Sequence, residues 1–184
     1  MKRKIIDDYL TASEMKLVED NIQNLFRGRS WEFVSKLNLN AKSENDFQFL
    51  HDYILAARPM YKDADKIPAL IMSPYAKSCK KDIEIMRART NLFIRTRLFP
   101  FFRGMGYHQD VADIDIRTIG KHYTLLFYLQ DSNGGTQFKE DGKIIKSKRN
   151  RAVVFSSDMQ HQTFAQTNIL FRTNININFR FPNE

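Results

Sequence analysis

Arg172-Thr173-Asn174-Ile175-Asn176-Ile177-Asn178-Phe179-Arg180 alternates polar and apolar residues without a break. In an extended strand, neighbouring side chains point to opposite faces, so two rows form. Arg172, Asn174, Asn176, Asn178 and Arg180 make the polar row. Thr173, Ile175, Ile177, Phe179 and Phe181 make the apolar row. The apolar row must pack on a core, and the polar row must face water or a lined cavity. A period of two also runs through residues 91–102, 121–130 and 152–156, which are rich in Phe, Ile, Val, Thr and Tyr, and the final strand is taken as 170–181. Turn signals separate them at Asp131-Ser-Asn-Gly-Gly135 and Glu140-Asp-Gly142.

Upstream of residue 90 the pattern changes. Thr11-Ala-Ser-Glu14 reads as a capping box, and Met15, Leu17, Val18, Ile22, Leu25 and Phe26 follow at three- and four-residue steps up to Gly28. A short strand is expected within 31–37. A second helix is expected over 43–57, carrying Phe47, Leu50, Tyr53 and Ile54 inward and ended by Pro59. A third is expected around 75–86. Helices followed by a run of strands predict an α+β fold, with helices on one face of an antiparallel β-structure. The 184 residues suit one domain, with 1–90 mainly helical support and 91–184 the β core.

Composition narrows the chemistry. The single cysteine, Cys79, excludes an internal disulfide and any cysteine-built metal cage, and fits a reducing compartment. Neither a membrane span nor a signal peptide is evident, so a cytoplasmic location, or the host cytoplasm for a viral protein, is expected. The net charge of +8 attracts anions generally. Its one dense run, residues 143–151, keeps nucleic acid open as a partner.

Four histidines are present, and two of them carry the chemistry. His108 and Asp110 stand two apart, so on a strand both could reach one ion. His161 lies about fifty residues downstream, beyond the apolar stretch Ala152-Val-Val-Phe155. Two imidazoles and one carboxylate would leave open coordination positions, as non-haem Fe(II) requires. Arg172 begins the polar row eleven residues later and could pair two-pronged with a carboxylate. The competing assignments are a turn histidine, a surface arginine and, for the ligands alone, a zinc hydrolase that gives Arg172 no task. His122 is expected to be exposed, and His51 to sit on a helix.

The segments Gly106-Tyr-His-Gln-Asp110, Tyr123-Thr-Leu-Leu-Phe-Tyr-Leu-Gln130, Asn133-Gly-Gly-Thr-Gln-Phe138, Asn150 to His161, and Arg172 to Phe179 occur in an order that resembles the Fe(II)/2-oxoglutarate-dependent oxygenases. The likeness is to their prolyl-4-hydroxylase-like branch and to small oxygenases encoded by bacteriophages. It covers about the last 75 residues. The resemblance implies a double-stranded β-helix (jelly roll) core with N-terminal helices on the larger sheet. It implies Fe(II) held by His108, Asp110 and His161, 2-oxoglutarate anchored by Arg172, O₂ as co-reactant and ascorbate as an optional reductant. Tyr128 matches a tyrosine that hydrogen-bonds the distal carboxylate in related hydroxylases, while Thr124 and Asn174 share its cavity-facing surface. The reaction it implies is hydroxylation coupled to conversion of 2-oxoglutarate to succinate and CO₂. A peptidyl residue such as proline is the expected substrate, with a nucleic-acid base or nucleotide as the alternative and a non-catalytic jelly-roll binding protein as the third reading. Arg172 stands where many collagen-type prolyl hydroxylases carry Lys.

Overall fold

The computed structural model describes residues 3–28, 31–34, 48–95, 104–110 and 121–182. Its elements run β1 (Lys4–Ile6), α1 (Ala12–Arg27), β2 (Glu32–Val34), β3 (Gln48–Leu55), β4 (Arg58–Pro59), α2 (Lys66–Cys79) and β5 (Glu84–Ile94). Then come β6 (His122–Tyr128), β7 (Gly135–Phe138), β8 (Ile144–Lys146), β9 (Arg151–Ser156), β10 (His161–Phe164) and β11 (Phe171–Arg180). The described residues are therefore mostly β-sheet with two helices. A larger antiparallel sheet has the order β1-β9-β6-β11-β5-β3-β2, with β4 on the outer side of β3. A smaller one has the order β10-β7-β8.

The two rows of β11 go where their polarity sends them. Ile175, Ile177 and Phe179 are fully buried in a core shared with Met15, Val18 and Ile22 of α1 and Ile71, Met72 and Tyr75 of α2. Tyr123, Leu125 and Phe127 of β6 join the same core. The opposite row faces the smaller sheet, where Leu126, Tyr128, Phe138, Ile145, Val153 and Phe155 form a second apolar cluster. Burial of apolar area drives both layers, but the polar side chains of β11 interrupt the second and leave a lined cavity.

The capping box forms as the sequence suggests: Thr11 and Glu14 satisfy each other's backbone N–H, and Gly28 closes the helix. Helix α2 contains Pro74, which cannot donate within the helix. Tyr9 reaches across at this point, donating its hydroxyl to the Ile71 carbonyl at 2.7 Å and accepting the Tyr75 N–H at 3.2 Å. Tyr9→Phe leaves two buried backbone groups without that bridge. It is expected to lower the unfolding free energy by about 1–3 kcal/mol, read from urea denaturation.

Several expected elements are displaced. The helix placed over 43–57 is strand β3 over its described part, and 43–47 lie outside the described residues. Its apolar spacing imitates a helix because a bulge between Asp52 and Ile54 breaks the alternation and buries Tyr53 and Ile54 together. The hairpin that follows turns on Ala56 and Ala57, both at positive φ, without the Gly or Asn that usually signals one. The third helix is α2, earlier than 75–86, and β5 starts at Glu84 rather than 91. Up to Ile94, the described residues thus supply five strands as well as two helices. His51 lies on β3, and His122 is buried because β6 is an interior strand between β9 and β11.

Candidate metal centre and anion clamp

His108 and His161 exchange backbone hydrogen bonds, N–H to carbonyl in both directions, at 2.9 and 3.0 Å. This antiparallel bridge lays the His108 segment beside β10 and brings the imidazole centroids to 4.5 Å. The Asp110 N–H donates to the Ser157 carbonyl at 3.0 Å, turning its carboxylate back toward both rings. His108 Nε2 lies 3.9 Å from Asp110 Oδ1, and His161 Nε2 lies 3.8 Å from Oδ2. One ligand atom from each of the three residues falls within 4.8 Å of the others. The sequence signal, two of four histidines with an aspartate two residues from the first, converges on one point.

The surroundings favour a metal-binding protonation state. His161 is 5% exposed, and burial pushes its pKa below the usual histidine value, so the ring is neutral near pH 7. Its Nδ1–H donates to the Met159 carbonyl at 2.9 Å, which turns the Nε2 lone pair inward. Burial of Asp110 by itself would raise its pKa. The His161 and His108 rings, the Arg87 guanidinium and the Thr124 hydroxyl together hold it well below the usual carboxylate range. Thr124 donates to Asp110 Oδ2 at 2.6 Å and accepts from Asn178 Nδ2 at 2.9 Å. Asn178 Oδ1 in turn accepts from Arg87 Nε at 2.8 Å. Thr124→Val should weaken Mn(II) affinity by about 10- to 100-fold, measured by equilibrium titration, because Asp110 loses its orienting donor.

Arg172 is fully buried, its guanidinium lying over the Phe93 ring with Cζ 4.7 Å from the centroid. Among the described residues neither Nη1 nor Nη2 has a hydrogen-bond partner. An unsatisfied buried guanidinium is costly, and burial pushes its pKa down to about 10. Two vacant donors on one planar fork suit a carboxylate. Tyr128, also fully buried, donates to Thr136 Oγ1 at 2.7 Å, and burial raises its pKa. Asn174 accepts from Asn91 Nδ2 at 2.9 Å and lines the cavity with Asn176, Thr136 and Thr163.

Thr124 does not belong beside Arg172. It shares a face with Tyr128 but sits four residues away, about 13 Å along the strand, and its hydroxyl serves Asp110. Sequence reasoning missed Arg87, Arg89 and Asn91, which line the cavity from β5. Their alternation with Ala88, Thr90 and Leu92 was available as a signal, but β5 was expected to begin only at 91. The basic run is less free than its composition suggests. Arg149 pairs with Glu19 at 2.7 Å, and Lys148 and Arg151 both pair with Asp7, at 3.1 and 2.6 Å.

No family model and no curated protein matches the sequence. Solved structures do match. A 2OG-Fe(II) oxygenase family oxidoreductase from Burkholderia pseudomallei aligns over 96% of this chain and 84% of its own, at 13% identity and TM-score 0.68. The fold is that of the 2OG-Fe(II) oxygenases. The same oxygenase fold appears in the viral collagen prolyl hydroxylase of Paramecium Bursaria Chlorella virus-1, in its 2OG complex. That alignment covers 98% of this chain and 97% of that one, at 14% identity and TM-score 0.61. The epimerase SnoN, in complex with Fe3+, alpha ketoglutarate and nogalamycin RO, aligns over 97% of this chain and 78% of its own, at 10% identity and TM-score 0.73. A collagen prolyl hydroxylase and an epimerase thus resemble this chain to a similar degree. No described helix is long and apolar enough to cross a membrane.

Proposed function

We propose that this chain is an Fe(II)- and 2-oxoglutarate-dependent dioxygenase formed as a single domain over residues 1–184. Its two facing sheets correspond to a double-stranded β-helix, with α1 and α2 supporting the larger sheet from outside. The observation that carries this reading is the pair of unpartnered Nη atoms of buried Arg172 in the same layer as a His-Asp-His cluster. A zinc hydrolase would need the cluster but not the buried cation.

In this reading His108, Asp110 and His161 hold Fe(II), and Arg172 pairs with the distal carboxylate of 2-oxoglutarate. Tyr128, within electrostatic reach of Arg172, and Asn174, which lines the cavity, would support the same carboxylate. With metal and cosubstrate bound, the site would supply oxidation by O₂: one oxygen atom would go to the substrate and the other to succinate, as 2-oxoglutarate gives up two electrons and loses CO₂. The protein's own work is placement. The Met159 carbonyl fixes the His161 tautomer, Thr124 aims Asp110, and Leu126, Phe138 and Phe155 help to dry the chamber.

The substrate we favour is a peptidyl residue such as proline. Gln48, Arg87, Arg89, Asn91 and Asn176 line the cavity, and such donors and acceptors match a peptide backbone. Arg89 is neutralised by Asp52 through contacts of 2.9 and 3.3 Å, which lessens the pull on phosphate. The test is aerobic turnover with Fe(II), 2-oxoglutarate and a library of proline-containing peptides, followed by mass spectrometry. Succinate with a one-oxygen gain on a peptide supports both halves of the proposal. Succinate without any modified peptide rejects the peptide substrate, and no succinate under any condition rejects the oxygenase.

A further inference from the structure

We propose that Gln166, seated by the Asn133-Gly134-Gly135 turn, orients Arg172 and thereby sets which dicarboxylate the cavity accepts; this rests on the cosubstrate assignment above. Gln166 is 2% exposed and lies between β10 and β11. Its Nε2 donates to the Phe93 carbonyl at 2.8 Å, and its Oε1 accepts from Arg172 Nε at 3.4 Å. Phe93 therefore contributes twice, anchoring Gln166 with its backbone and flanking the guanidinium with its ring.

A guanidinium can meet a carboxylate along its Nε side or across its Nη1/Nη2 end. Gln166 occupies the Nε side. Among the described residues the Nη end has no partner, so the cation can be met end-on, which would fix how far the paired carboxylate stands from the histidine–aspartate cluster. That distance selects the chain length of the ligand.

The position of Gln166 depends on the turn after β6. Asn133 Nδ2 donates to Thr167 Oγ1 at 2.7 Å, and Asn133 Oδ1 accepts from the Thr167 N–H at 2.8 Å. The Asn133 N–H donates to Asn168 Oδ1 at 3.0 Å, closing a clasp on the loop that carries Gln166. Gly134 permits the close approach. A Cβ there would come within 2.7 Å of the Gln166 backbone nitrogen and 2.8 Å of the Phe164 carbonyl oxygen. The turn motif thus has a task beyond reversing the chain. Gln166 is a positioning residue, acting through Arg172.

The experiment is calorimetric titration of Mn(II)-loaded protein with 2-oxoglutarate and with 2-oxoadipate, one methylene longer. Gln166→Met keeps the volume and removes both hydrogen bonds. It should weaken 2-oxoglutarate binding by about tenfold, since a buried donor is left loose. The preference for 2-oxoglutarate over 2-oxoadipate should fall, while Mn(II) affinity stays within about twofold, well short of the loss expected for a partner of the metal ligands. Gln166→Glu keeps the shape but adds a carboxylate that competes for the same cation, so it should lose more affinity than Gln166→Met. Unchanged 2-oxoglutarate affinity in either variant, unchanged selectivity, or an equal loss of Mn(II) and 2-oxoglutarate binding in both overturns the inference. Failure of the wild-type Mn(II) protein to bind 2-oxoglutarate would instead reject the cosubstrate assignment.

Discussion

His161→Ala is expected to abolish Fe(II)-dependent turnover of 2-oxoglutarate. Of the two histidines, His161 is the more deeply set, at 5% exposure, and the Met159 carbonyl has already fixed which nitrogen faces the cluster. Losing it leaves one imidazole and one carboxylate, which cannot hold a first-row divalent ion against water in a site designed for three ligands. The drop in metal affinity should exceed the roughly 10- to 100-fold typical of losing an outer partner. Succinate production should fall below detection. The ring also packs against Phe155 and Phe138, with centroids at 4.9 and 5.9 Å, so some stability will go with it. His161→Gln fills most of that volume, and folding is checked by circular dichroism. A folded His161→Gln protein that binds metal and makes succinate like the wild type would remove the basis for the metal centre.

Arg172→Met should separate cosubstrate binding from stability. Breaking a buried, bidentate ion pair by removing one partner costs about 3–5 kcal/mol, or roughly two to four orders of magnitude in affinity. The KM for 2-oxoglutarate should rise accordingly, while Mn(II) affinity changes little. The ligand-free protein should respond in the opposite direction. In the native cavity the guanidinium is buried with two idle donors, and its pKa is pushed down to about 10 by burial. A base whose folded pKa lies below its unfolded value is penalised in its charged form. That penalty is in force at pH below about 10 and is relieved only as the pH climbs through that value. Methionine carries no such charge, so the Arg172→Met protein without ligand should melt at a higher temperature at pH 7. It should lose the stabilisation that 2-oxoglutarate gives the wild type. A lower melting temperature together with an unchanged KM would contradict both arguments.

What the sequence disclosed follows from which signals are local. The alternation in β11 was legible because each residue's face depends only on its neighbours. The polar row therefore announced either water or a lined cavity before any contact was known. The two histidines were legible because the chain has only four, and Asp110 because it stands two residues from one of them. Strand β3 was not, since its bulge buries Tyr53 and Ile54 side by side and imitates helical spacing. Helix α2 was displaced because Pro68 and Pro74 hide a helix that Tyr9 repairs from outside. Thr124 was expected near Arg172 and instead bonds Asp110, because periodicity gives the face of a strand but not depth along it. Arg87 and Gln166 reach their partners 91 and 6 positions away. Contacts that depend on strand order and loop placement leave no pattern in a linear chain.

A divalent metal and a dicarboxylate are expected to bind side by side in a single chamber. Anaerobic titration of the purified chain with Fe(II) and 2-oxoglutarate, followed by visible absorption, examines that directly. A charge-transfer band should appear only when both are present, saturate at one iron per chain, and be lost at the same ligand concentration in Arg172→Met. A folded wild-type protein that binds Fe(II) without any such band, or binds 2-oxoglutarate equally well without metal, would show that the two sites are not one.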